Sequence, residues 1–168
     1  MRDADTRKFV LLQMMLSTQR GGAETFFEKL SLAFADAGVR QCLVTEPDFS
    51  RASLFSTCSN IEHLEIPFGG LGEWSARRKL REVFQRFQPD IALTWMNRAS
   101  RRVPRDYCPV VGRLGGYYGL KYYRNCDYLV GITPDLVAEV PFTEITHEGH
   151  LRLCSFLGLR ADKPAEAV

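Results

Sequence analysis

The residues Lys8 to Leu16 are almost continuously apolar, and a run of that length bounded by polar residues reads as a strand buried on both faces of a sheet. After the polar turn Ser17–Gly22 the period changes. Phe26, Phe27, Leu30, Ala33, Phe34 and Ala37 recur at helical spacing, and Gly38 is placed to stop the helix. Val39 to Thr45 is a second strand, ended by Glu46-Pro47-Asp48. One strand–helix–strand unit on this scale requires a right-handed crossover and a parallel pair.

The unit repeats loosely along the chain. Ile61 to Ile66 reads as a short strand and Phe68 to Gly72 as a loop. Glu73 to Phe87 is an amphipathic helix whose inner face is predicted to hold Trp74, Leu80, Val83, Phe84 and Phe87. Strands are also predicted over 91–95, 109–114 and 126–132, with a basic connection from Met96 to Tyr107. Thr133-Pro134-Asp135 has the form of a helix start. The alternation predicts an α/β fold with a single doubly wound, mostly parallel sheet. The regular pattern ends near Val140, so residues 1–140 are expected to form one domain and 141–168 a crossover or tail.

Composition changes this picture only locally. Net charge is +2, too small to argue for nucleic acid. From Glu73 to Arg105, however, nine Arg and Lys face three acids, a local balance of +6 that would attract phosphates or an anionic membrane surface. The five cysteines are scattered without a C-x-x-C pair, and His63, His147 and His150 are dispersed. Neither a disulfide framework nor a metal site is expected. The N-terminus lacks signal-peptide character and no apolar run is long enough to span a bilayer, so a cytoplasmic protein is expected, peripheral at the inner membrane face.

Candidate chemistry gathers at strand ends. In Gln19-Arg20-Gly21-Gly22-Ala23-Glu24, the glycines let a ligand approach the backbone, and the helix start presents free N–H groups to an anion at Gly21, Gly22 and Ala23. The bland alternative is a tight turn needing positive φ, with Glu24 as a first-turn acid. Asn97 and Arg98 follow the strand at 91–95, where open α/β sheets bind ligands. Arg113 ends another strand, and Tyr117, Tyr118, Tyr122 and Tyr123 offer rings for stacking on sugars. No G-x-S-x-G, paired carboxylates or full dinucleotide fingerprint is present. No residue is marked as catalytic.

These segments, taken in order, resemble the N-terminal domain of GT-B retaining glycosyltransferases, the group 1 or family 4 enzymes that include lipopolysaccharide-core and other cell-envelope sugar transferases. The resemblance rests on Gly21-Gly22-Ala23-Glu24 opening a helix, Phe87-Gln88-Pro89-Asp90-Ile91, Arg113-Leu114-Gly115-Gly116-Tyr117-Tyr118, and Cys126 to Asp135, and it covers about Phe9 to Val140. It implies transfer of a sugar from a nucleotide-sugar donor to a glycan or lipid acceptor. Gly21, Gly22 and Ala23 would face the donor phosphates, and Asn97, Arg98, Arg113, Tyr117 and Tyr118 the acceptor. No metal or other cofactor is implied. Two departures stand out. Many relatives carry a His after the strand matching 91–95, where this chain reads Met96-Asn97-Arg98. The chain also ends where a nucleotide-sugar domain would begin, so a fragment inactive without a second domain is expected, with dimerisation through the apolar tail Leu151–Leu159. The competing expectation is a non-catalytic binding or scaffold protein for an anionic lipid or a partner.

Overall fold

The computed structural model describes residues 8–116 and 119–133. The elements are β1 (Val10–Met15), α1 (Gly22–Asp36), β2 (Arg40–Thr45), α2 (Phe49–Phe55), β3 (Ile61–Glu65), α3 (Glu73–Phe87), β4 (Ile91–Trp95), α4 (Met96–Ser100), β5 (Val110–Arg113) and β6 (Tyr128–Val130). The six strands form one sheet in the order β3-β2-β1-β4-β5-β6, and every pairing is parallel. The sheet is doubly wound, as the alternation of runs predicts. Tyr117, Tyr118, the segment after Thr133 and the apolar tail lie outside the described residues.

Alternation along each strand sends side chains to two cores. Leu12, Met14, Cys42, Val44, Ala92 and Val110 face the cluster completed by Ala76, Leu80, Val83, Phe84 and Phe87 of α3. Met15, Leu43 and Trp95 meet Phe27 of α1 and Phe55 of α2 on the other face. The two helical faces differ from expectation in one residue type each. Trp74 is 88% exposed because Ala76 takes the inward position at the start of α3. Phe26 is 47% exposed, and the buried stripe of α1 is Glu24, Phe27 and Ser31.

Ser31 is inside because β1 and β2 carry polar residues there. Gln13 donates to Ser31 Oγ (3.1 Å) and Gln41 Oε1 (2.8 Å), Gln41 donates to the Ser31 carbonyl (2.8 Å), and Trp95 Nε1 donates to Gln13 Oε1 (3.1 Å). Each of these buried groups thereby finds a partner.

The termini follow local chemistry. Gly38, at φ +79°, closes α1 with bonds from its own N–H to Ala35 and from Val39 N–H to Phe34, the paired pattern of a glycine helix stop. Helix α2 was not predicted. Its signal is Asp48, whose carboxylate accepts from the N–H groups of Ser50 and Arg51 at 2.9 and 3.2 Å. The connection after β4 likewise begins with one helical turn, α4. Asp90 and Asp127 share a device: each carboxylate accepts from the first N–H of the neighbouring strand, Val10 at 2.7 Å and Val110 at 2.8 Å.

Candidate functional site

Strand order reverses direction between β1 and β4, and ligands of open parallel sheets bind outside the carboxyl ends of the strands at such a switch point. Register aligns Met15, Trp95 and Arg113 side by side on β1, β4 and β5 as the last row before this edge. The loop 16–21 leaves β1 there, and α4 leaves β4.

The loop is tightly held. Arg51 is fully buried, pairs with Glu28 of α1 at 2.9 Å and donates to the Ser17 carbonyl. Its Nη2 has no hydrogen-bond partner. Ser17 Oγ donates to Glu24 Oε1 at 2.5 Å, so the buried Glu24 carboxylate folds back over the start of its own helix. This fold-back explains the first glycine. Gly21 is extended, not at positive φ, but a Cβ there would sit 2.9 Å from Glu24 Oε2. At Gly22 a Cβ would meet nothing within 4 Å. The N-cap Gly21 makes no side-chain cap hydrogen bond, and the first N–H groups of α1 lie at the positive end of a 15-residue helix.

On the β4 side, Met96 adopts φ +62°, a left-handed conformation rare for a non-glycine residue. Its side chain fits because residue 115 is glycine: a Cβ there would lie 2.9 Å from Met96 Cγ. Such strain at a strand's carboxyl end is a mark of functional sites. It turns Asn97 and Arg98 onto the first turn of α4. Arg98 Nη2 donates to Glu46 Oε1 at 2.8 Å and to the Phe68 carbonyl at 3.0 Å, while Glu46 accepts from Phe68 N–H. Arg98 therefore ties β4 to the ends of β2 and β3, with its side chain 44% exposed.

Arg113 is differently placed. Its guanidinium lies 4.8 Å from the Trp95 ring centroid and 5.3 Å from that of Phe26. Burial lowers its pKa from the ordinary arginine value, and Nη1 is buried without a hydrogen-bond partner. The arrangement joins a half-buried cation to the second turn of α1 through Phe26. The sequence pattern marks Glu24 only as a first-turn acid and offers no signal for Ser17, Arg51 and Met96 as site-shaping residues, because their roles depend on partners from other elements.

The described residues contain no group of three or more His, Cys, Asp or Glu side chains able to hold a metal ion. No described helix is long and apolar enough to cross a membrane.

Sequence relatives accompany this geometry. Lipopolysaccharide core biosynthesis glycosyltransferases LpsD and LpsE of Rhizobium meliloti (strain 1021) are 34% and 30% identical over 122 residues, 71% of this chain. Over this stretch the chain is similar to part of a glycosyltransferase. It spans about a third of the curated relatives' length, 36% of each. Anabaena Alr3699/HepE, solved in complex with UDP, shares this fold at a TM-score of 0.50 and 15% identity, covering 73% of this chain and 37% of that one. Residues 76–163 also match a family model described as the ATP dependent DNA ligase C terminal region, and the two assignments disagree. The bounds of that match do not coincide with the structural unit. A unit starting at Ala76 would begin inside α3 and omit β1, to which β4 is paired from Ile91 to Trp95.

Proposed function

We propose that this domain forms the acceptor-side wall of a glycosyltransferase that moves a sugar from a nucleotide-sugar donor to a cell-envelope glycan or lipid acceptor. The observation that carries the reading is the placement of the uncapped α1 N-terminus and the partly unpartnered Arg113 at one carboxyl edge of the sheet. In retaining transfer the donor phosphates leave with negative charge, and preorganised N–H groups stabilise that charge without reorganisation. Gly21, Gly22 and Ala23 line that role, with no metal or cofactor invoked. Arg113 is suited to an anionic group of the acceptor, and Asn97 to a hydroxyl. Arg98 serves the acceptor through its exposed edge while Glu46 fixes it; Tyr117 and Tyr118 belong to the same proposed set.

Catalysis in this reading needs a second domain to hold the nucleotide. Calorimetry of the chain with UDP-, GDP- and ADP-sugars should give weak binding and no turnover. Low-micromolar affinity would overturn the half-site reading. The alternative, a non-catalytic module at an anionic membrane, is favoured by one observation: Trp74 stands 88% exposed at the head of the basic helix α3. Sedimentation with anionic vesicles, compared between the parent and an Arg77→Glu, Arg78→Glu, Arg81→Glu variant, tests it. Equal sedimentation of the two would remove this reading.

A further inference from the structure

A second cationic site lies away from the switch-point crevice. A cavity of about 570 Å³ opens between α3 and the 101–107 connection, lined by Arg77, Arg81, Arg102 and Arg105. It adjoins a cavity of about 560 Å³ at the amino-terminal ends of β5 and β6, to which Arg124 contributes. Arg105, Asp106, Tyr107 and Asn125 line both.

Four of these features point to a ligand. Arg77 and Arg81 stand four residues apart on one helical face, an arrangement that like charges disfavour in a helix by a few tenths of a kcal/mol. Arg81, Arg105 and Arg124 have no carboxylate within ion-pair distance among the described residues, unlike Arg77, Arg78, Arg86, Arg98 and Arg102. The wall that carries Arg105 is fixed, since Asn125 donates to the carbonyls of Arg101 and Val103 at 3.4 and 2.9 Å. Asp106 holds φ +71° between Arg105 and Tyr107, a left-handed turn that places it in the wall of both cavities.

We propose that this groove binds a phosphorylated sugar. Guanidinium forks match the geometry of a phosphate monoester. Asp106 would repel a bare dianion drawn close but accepts hydrogen bonds from sugar hydroxyls, and the exposed Tyr107 offers a ring for the sugar face. The second cavity lies at the opposite end of the strands from Trp95 and Arg113, roughly 10–13 Å away at about 3.3 Å per residue. The groove is therefore separate from the donor-phosphate position, and the proposal does not rest on the transferase reading.

Calorimetry of the full chain with glucose 6-phosphate, inorganic phosphate and glucose tests the inference. Saturable binding of glucose 6-phosphate is expected, tighter than either component alone. An Arg81→Gln, Arg105→Gln variant should weaken it at least about tenfold. Arg78→Gln, whose residue pairs with Glu82 outside the groove, should leave it unchanged. Thermal melts of each variant confirm that the fold persists. Absent saturable binding, unchanged affinity in the double variant, or affinity for phosphatidic acid vesicles without affinity for the soluble sugar phosphate would each overturn the proposal.

Discussion

At the scale of single residues, the Gly21-Gly22 pair divides into two different roles. A Cβ at position 21 meets Glu24 Oε2 at 2.9 Å, so Gly21→Ala must shift the carboxylate that Ser17 holds through Oε1, and that bond is expected to weaken. A loss of about 1 kcal/mol, the worth of one hydrogen bond, is expected in urea unfolding. Gly22 lies in helical conformation with open space beyond it, so Gly22→Ala should stabilise by about 0.4–1 kcal/mol. Opposite signs for adjacent glycines are the checkable outcome; two losses would refute the steric account. Gln13 makes a sharper case. Gln13→Leu strands Trp95 Nε1 and Gln41 Oε1 inside the core, at about 1–3 kcal/mol for each orphaned group. Trp95 carries Arg113 on its face, so the same substitution should change Trp95 fluorescence before unfolding begins. An unchanged spectrum would mean that packing alone holds the ring.

Element types and order were legible because each follows from short-range pattern. Buried strands are continuous apolar runs, α1 ends at the glycine its geometry requires, and Pro89-Asp90 and Cys126-Asp127 mark strand starts that cap their neighbours. The inner faces were read less well. Trp74 and Phe26 fit the helical period but turn outward, since Ala76 and Glu24 take the inward places through contacts made by other elements. Helix α2 was hidden because seven residues carry too little periodicity, and only its cap Asp48 signals it. The strand pair β2–β3 yields a pH prediction. His63 meets Thr45 Oγ1 at 2.8 Å, and burial lowers its pKa below the ordinary 6.5; Glu65 and Asp48 oppose this and Arg51 assists it. The folded state disfavours the imidazolium, so stability is complete above about 6.5 and declines as pH falls below that value. His63→Gln should flatten this decline in unfolding experiments across the range. A decline equally steep in the variant would assign it to other groups.

At the scale of the molecule, the basic stretch changes meaning on folding. Counted along the chain, residues 73–105 carry +6, but Glu46 and Glu62 arrive from β2 and β3 to pair with Arg98 and Arg86. Five of the nine cations are then engaged, and Arg81 and Arg105 of the α3 groove are among those left over. Glu73 controls two of them. It holds Arg77 at 3.1 Å and Arg102 at 3.0 Å, joining the head of α3 to the connection before β5. Burial works to raise its carboxyl, but the hydrogen bonds and charges of Arg102 and then Arg77 outweigh this and hold the pKa below the usual 4.5. Its stabilising contribution is therefore present above about 4.5 and is lost as pH falls through the lowered folded value. Glu73→Gln should cost about 1–3 kcal/mol near neutral pH, between an exposed and a buried pair, and the gap from the parent should close in acid. The same variant releases two guanidinium groups beside the α3 groove, so glucose 6-phosphate should bind more tightly even as the fold weakens. Stability and affinity moving in opposite directions distinguishes a carboxylate that restrains ligand-facing arginines from one that only braces a helix end. A variant that lost both together would assign Glu73 to the scaffold alone.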